Sequence, residues 1–151
     1  LPLYAQATQA DAKKVGIKIN LKNVDYNVLD NIGINGEYDL LISNILTEAA
    51  GDPEVFMNGY WKTNSNGSNP QNGSGYSNPE YDALSDQLAS EFDPAKRRDI
   101  IIKMQKLLQD DAAILIFGYP QTNMVSNKSV ENANIYPCDY YWVTKDITPA
   151  K

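Results

Sequence analysis

The stretch "SNPEYDALSDQLASEFDPAKRRDI", residues 77–100, decides how the chain folds. It holds two Asx-Pro pairs, Asn78-Pro79 and Asp93-Pro94, each opening a run of residues that favour helix. A short polar side chain before proline is a helix start. Its oxygen accepts from the free N–H groups of the first turn, where proline has no N–H to leave unpaired. After the first pair, Tyr81, Leu84 and Leu88 recur at spacings of three and four. After the second, Ile100, Ile101, Met104, Leu107 and Leu108 do the same. Each set forms one apolar stripe. The spacing predicts two antiparallel helices, near 79–91 and 94–109, packed by those stripes onto a sheet.

Working outward, residues 4–14 are rich in Ala, Gln and Lys and predict a helix that stops at Gly16. "IKINLKNV" (17–24) alternates apolar and polar residues and predicts a strand. Residues 26–35 predict a short helix ended by Gly36. "YDLLISNI" (38–45) is a more continuous apolar run, as in a strand covered on both faces. "AAILIFG" (112–118) predicts a buried strand, and "TNMVSN" (122–127) a neighbour to it. Strands alternating with helices predict an α/β fold with a mixed, mainly parallel sheet of about four strands. Between these elements, "TNSNGSNPQNGSGYSN" (63–78) is Asn, Ser and Gly with almost nothing apolar, and reads as a flexible surface loop.

The 151 residues suit one domain, residues 1–151, with a real core. A net charge of -6 argues against nucleic acid and against anionic lipid, both of which reward clustered Lys and Arg. The single Cys138 cannot close an internal disulfide. With no histidine, Ser-His and Cys-His catalysis are excluded, and no cysteine, histidine or EF-hand spacing marks a metal site. The N-terminus, "LPLYAQATQADAKKVGI", has no basic and apolar leader pattern, and reads as a chain cut from a longer protein.

Three places remain as candidate sites. Asp110 and Asp111 form a carboxylate pair of the kind hydrolases use, or a solvated turn at a helix end. Tyr136, Tyr140, Tyr141 and Trp142 could stack on a ligand, or fill a seam between domains. In open parallel sheets, ligands bind beyond the carboxyl ends of the strands. The loop "NILTEAAGD" (44–52) leaves such an end, with Asn44, Ile45, Leu46, Thr47 and, within 44–51, one acid, Glu48. The alternative for Glu48 is a solvated loop acid.

The series "AKKVGIKINLKNVDYNVL", "NGEYDLLISN", "GDPEVF" and "GYSNPEYDALSDQLASEFDPAKRRDIIIKMQKLLQDDAAILIF" resembles, in order, the C-terminal lobe of extracellular solute-binding proteins of family 5. These are the dipeptide, oligopeptide and nickel receptors of ABC importers. The likeness spans roughly residues 5–128, and its most specific part is Asp93-Pro94-x-x-Arg97-Arg98. The ending "NIYPCDYYWVTKDITPAK" is similar to nickel-receptor tails. The resemblance implies one lobe of a type II periplasmic-binding-protein-like fold and no catalysis or resident cofactor. It implies a peptide, small-molecule or nickel-complex ligand, a missing N-terminal lobe of the same protein, and an ABC permease as partner, with the protein periplasmic, extracellular or anchored at the cell surface.

It also implies that the 38–45 strand leads to an acid that pairs with the ligand's amine. Counting forward from Tyr38-Asp39 gives Glu48; counting back from Asp52-Pro53 gives Ala49. Family members carry an aromatic just before that acid, where this chain has Ile45 and Leu46. Two rival functions stand beside transport: a hydrolase using Asp110 and Asp111, and a protein-interaction domain that docks a partner through the aromatic C-terminus.

Overall fold

The computed structural model describes residues 1–45, 52–121, 123–136 and 143–150. The chain divides into two compact units, Leu1–Leu115 and Ile116–Lys151.

Among the described residues, the first unit holds five helices: α1 (Pro2–Lys14), α2 (Tyr26–Asn35), α3 (Glu54–Trp61), α4 (Pro79–Ser90) and α5 (Pro94–Asp110). The two Asx-Pro starts form as their chemistry requires. Asn78 Oδ1 accepts from the N–H groups of Glu80 and Tyr81 at 2.9 and 3.3 Å. Asp93 Oδ1 accepts from Ala95 and Lys96 at 3.0 and 2.9 Å. Three helices end in the same hydrogen-bonded turn. Ile17 N–H bonds Ala12 O, Glu37 N–H bonds Ile32 O, and Ala113 N–H bonds Leu108 O, each around a residue with positive φ. Gly16 and Gly36 supply that conformation after α1 and α2, but after α5 it falls on Ala112, at φ 52.

The core lies among α3, α4 and α5. Tyr81 and Leu88 of α4 and Ile100, Met104 and Leu108 of α5 are buried, with Met57 and Trp61 of α3 completing the cluster. Both stripes read from the sequence are therefore the packed faces. Two buried hydroxyls are tied within this cluster, while the Trp61 indole N–H has no partner among the described residues. Tyr81 donates its hydroxyl to Met57 O at 2.8 Å, and Ser85 donates to Asn58 Oδ1 at 2.7 Å. Edge contacts run from Phe56 to Trp61 to Tyr76 to Tyr81.

The loop after α3 departs from the flexible reading. Asn69 donates to the carbonyls of Asn58 and Lys62, and Asn72 donates to those of Lys62 and Tyr76. Asparagine side chains thus supply donors to the Asn58 and Lys62 carbonyls at the end of α3 and tie the loop to it. Gly73 lies against the backbone of α2, where a Cβ would sit 1.5 Å from Gly33 O.

The expected parallel sheet is not formed among the described residues. The one ladder is a two-stranded antiparallel pairing in the second unit, β1 (Val130–Glu131) with β2 (Thr148–Pro149), in the register Val130 to Pro149 and Glu131 to Thr148. Residues 17–24, 38–45, 112–118 and 123–127 carry no strand pairing. The physical reason is that a strand takes its hydrogen bonds from a neighbour, and no neighbouring strand is aligned with these segments.

Candidate functional site

The candidate ligand loop follows residues 38–45 and returns at Asp52. Asn44 and Ile45 are exposed at its start, Ile45 by 37%. Leu46, Thr47 and Glu48, with Ala49, lie outside the described residues, as do Cys138, Tyr140, Tyr141 and Trp142.

The return of the loop is built around Arg97. Asp52 Oδ1 accepts from Glu54 N–H at 2.8 Å and so opens α3. Its other oxygen accepts from Arg97 Nη2 at 2.8 Å, and Glu54 Oε2 accepts from the same nitrogen at 2.9 Å. Arg97 Nη1 donates to the carbonyls of Leu88 and Glu91, at 2.8 and 2.7 Å, at the end of α4. One planar guanidinium therefore joins the start of α3, the end of α4 and the first turn of α5. Its side chain is only 17% exposed. The hydrogen bond to Glu54, then that to Asp52, holds it further in its charged form. The spacing from Asp93, four residues, places Arg97 one turn into α5. That spacing was the only sequence signal for its role, and burial of the partners was needed to see it.

Asp110 and Asp111 separate. Asp110 pairs with Lys106 on its own helix at 3.0 Å. Asp111 Oδ2 accepts from the Tyr76 hydroxyl at 2.7 Å and from Asn78 Nδ2 at 2.8 Å. Those hydrogen bonds, Tyr76 first, hold the Asp111 carboxyl below the usual aspartate range. Burial, aided by Asp111 beside it, pushes Tyr76 up to about 12. A hydrolytic acid needs the opposite shift, toward neutral pH. Tyr76, Asn78 and Asp111, with Ser74 and Ser77, line an open cleft of about 590 Å³, and Asp110 is not part of its lining. Among the described residues, no group of three or more His, Cys, Asp or Glu could hold a metal ion.

No family model matches the chain. Individual relatives do. Over 128 residues it is 33% identical to the probable D,D-dipeptide-binding periplasmic protein DdpA of Escherichia coli, covering 84% of this chain and 24% of that protein. It is 27% identical over 143 residues to the nickel-binding protein NikA of Staphylococcus aureus, covering 95% of this chain and 28% of that one. Among solved structures, the ABC transporter substrate-binding protein CtaP of Listeria monocytogenes is 31% identical, with a TM-score of 0.57 over 72% of this chain and 21% of its own. That neighbour has an α/β fold, with which five helices and a small sheet are compatible. The chain spans about a quarter of the length of the relatives it matches. Its homologues are the extracellular solute-binding proteins of family 5, aligned with it over one part of their length.

Proposed function

We propose that the chain is the C-terminal ligand-binding lobe of a two-lobed receptor. It would capture a di- or oligopeptide, or a nickel complex, outside the membrane and deliver it to an ABC permease. It performs no catalysis. The observation that carries this reading is the exposure of large apolar side chains in the segments expected as strands. Ile17 is 58% exposed, Leu40 72% and Leu115 73%, while the α3–α5 core is closed. Exposed apolar side chains on segments of this length mark a surface that another segment covers. In the two-lobed reading, the rest of the receptor supplies that cover and completes the mixed parallel sheet.

Asn44, Ile45, Leu46, Thr47 and Glu48 then line the cleft, with Trp142 as a stacking surface. Closure of two walls buries the ligand, so one wall alone is a poor site. With no histidine in the chain, nickel would arrive as a chelate or take ligands from the other lobe.

Calorimetric titration with dipeptides and with chelated Ni(II) tests this. The complete receptor is expected to bind one of them in the micromolar range. The chain alone is expected to bind at about millimolar or worse, roughly 4 kcal/mol. Micromolar binding by the chain alone would overturn the lobe assignment. Glu48→Gln in the complete receptor tests the site. A desolvated charge pair that loses a partner weakens by about 2–5 kcal/mol, roughly 30-fold or more. A change below about threefold would place Glu48 among solvated loop acids.

A further inference from the structure

The chain carries four Asn-Gly pairs, beginning at Asn35, Asn58, Asn66 and Asn72. In such a pair the glycine nitrogen can attack the asparagine carboxamide, because no Cβ hinders the approach. The fold treats the four pairs differently. Asn58 sits within α3, where its carboxamide accepts from Ser85 and donates to Glu54. Asn72 is 4% exposed, donates to two carbonyls and accepts from Ser74, while the Gly73 N–H is bonded to Gln71 O. Asn35 donates to Glu37 at 3.0 Å, and the Gly36 N–H closes α2 on Gly33 O.

Asn66 differs on every count. It and Gly67 are exposed, at φ 55 and φ 80, in a turn closed by Ser68 N–H on Ser65 O at 3.1 Å. Two left-handed residues in a row make this a type I′ turn, which Asn-Gly favours. Among the described residues, neither the Asn66 carboxamide nor the Gly67 N–H makes a hydrogen bond. Three hydrogen bonds hold the tip: the turn bond, Ser65 N–H to Ser68 Oγ, and, at its base, Asn69 N–H to Asn64 Oδ1. Opening such a tip requires no disturbance of the core.

We propose that Asn66 is a site of spontaneous modification, its carboxamide converted to a carboxylate through a cyclic imide with Gly67, while the fold protects the other three pairs. The Gly67 nitrogen forms a bond to Asn66 Cγ. The side-chain amine leaves as ammonia, taking the proton that the Gly67 nitrogen gives up. Water then opens the ring at either carbonyl, leaving aspartate or isoaspartate at position 66. The balance is one water consumed and one ammonia released, with no oxidant or reductant. The product adds a negative charge to a chain already at -6, and isoaspartate puts an extra methylene into the backbone of a tight turn.

The test is to hold the folded chain at mildly alkaline pH and follow all four pairs by peptide mapping and mass spectrometry. Asn66 is expected to convert roughly tenfold or more faster than each of the other three, whose reaction must wait for local unfolding. In concentrated urea the four rates are expected to converge. Gly67→Ala is expected to slow position 66 alone. A rate at Asn66 no higher than at Asn35 or Asn72 in the folded chain would overturn the proposal. So would the same ranking in urea, which would trace it to neighbouring sequence and not to the fold.

Discussion

The α3–α5 cluster and the segments 17–24 and 38–45 belong to one unit and reach opposite ends. In the cluster, Tyr81, Leu88 and Met104 are wholly buried and the Tyr81 and Ser85 hydroxyls find acceptors nearby. In the other segments, Ile17, Leu21 and Leu40 face solvent and no ladder forms. A helix completes its backbone hydrogen bonds within its own residues, so a stripe and a second helix suffice to close a core. A strand takes those bonds from a neighbour and buries its side chains only when a whole sheet is present. The difference places the stability of the unit in its three-helix cluster.

Core truncation should break the comparison if it is wrong. Met104→Ala is expected to lose about 2–5 kcal/mol in urea unfolding followed by circular dichroism. Leu40→Ala, at an exposed position, should stay within about 0.5 kcal/mol. Equal losses would show that the two regions share one core. Arg97→Met should come next, at about 2 kcal/mol, because it removes the side-chain donor to the Leu88 and Glu91 carbonyls, of which Leu88 O keeps only the Glu91 N–H. Arg97→Lys should recover only part of this, since a single ammonium cannot reach the partners that the two η nitrogens of the planar guanidinium serve together.

Smaller effects sharpen the picture at the end of α5. Ala112→Gly is expected to gain about 0.5–1 kcal/mol, since relief of the left-handed alanine exceeds the added freedom of the unfolded chain. The smallest effect concerns Asp111. Its carboxyl is lowered in the folded chain, so its contribution is present above the unfolded value and lost as pH falls through the folded one. Stability of the wild type should therefore fall more steeply than that of Asp111→Asn as the medium becomes acidic. For Tyr76 the shift is upward, from 10.0 to about 12, so its contribution is present below pH 10 and lost as pH rises toward about 12. Tyr76→Phe should flatten that alkaline loss.

Helix starts, stripes and stops were legible because each depends on residues within a turn or two. Asn78, Asp93, Gly16 and Gly36 act where their spacing put them. The strands expected at 17–24 and 38–45 rested on patterns, but a pattern states which side a residue prefers and does not supply the neighbour. Arg97 was visible only as part of a motif, because its partners lie 43 and 45 residues away in sequence. Asn69 and Asn72 were hidden by composition. A run of Asn, Ser and Gly looks the same whether its carboxamides face water or close the end of a helix. Of the candidate ligand residues, Asn44 and Ile45 are exposed beside the loop, and Glu48 and Trp142 lie outside the described residues.

The loop between α3 and α4 has a hard base and a soft tip, and that matters to anyone who wants to splice a reporter into the chain. Insertions succeed where little backbone bonding is interrupted. A fluorescent module spliced between Asn66 and Gly67 would interrupt one exposed turn. The same module at Asn72-Gly73 would pull the carboxamides off the end of α3 and collide with α2. A sensor built at the tip would keep its framework, and replacing Asn66 in the splice would also give it a longer shelf life.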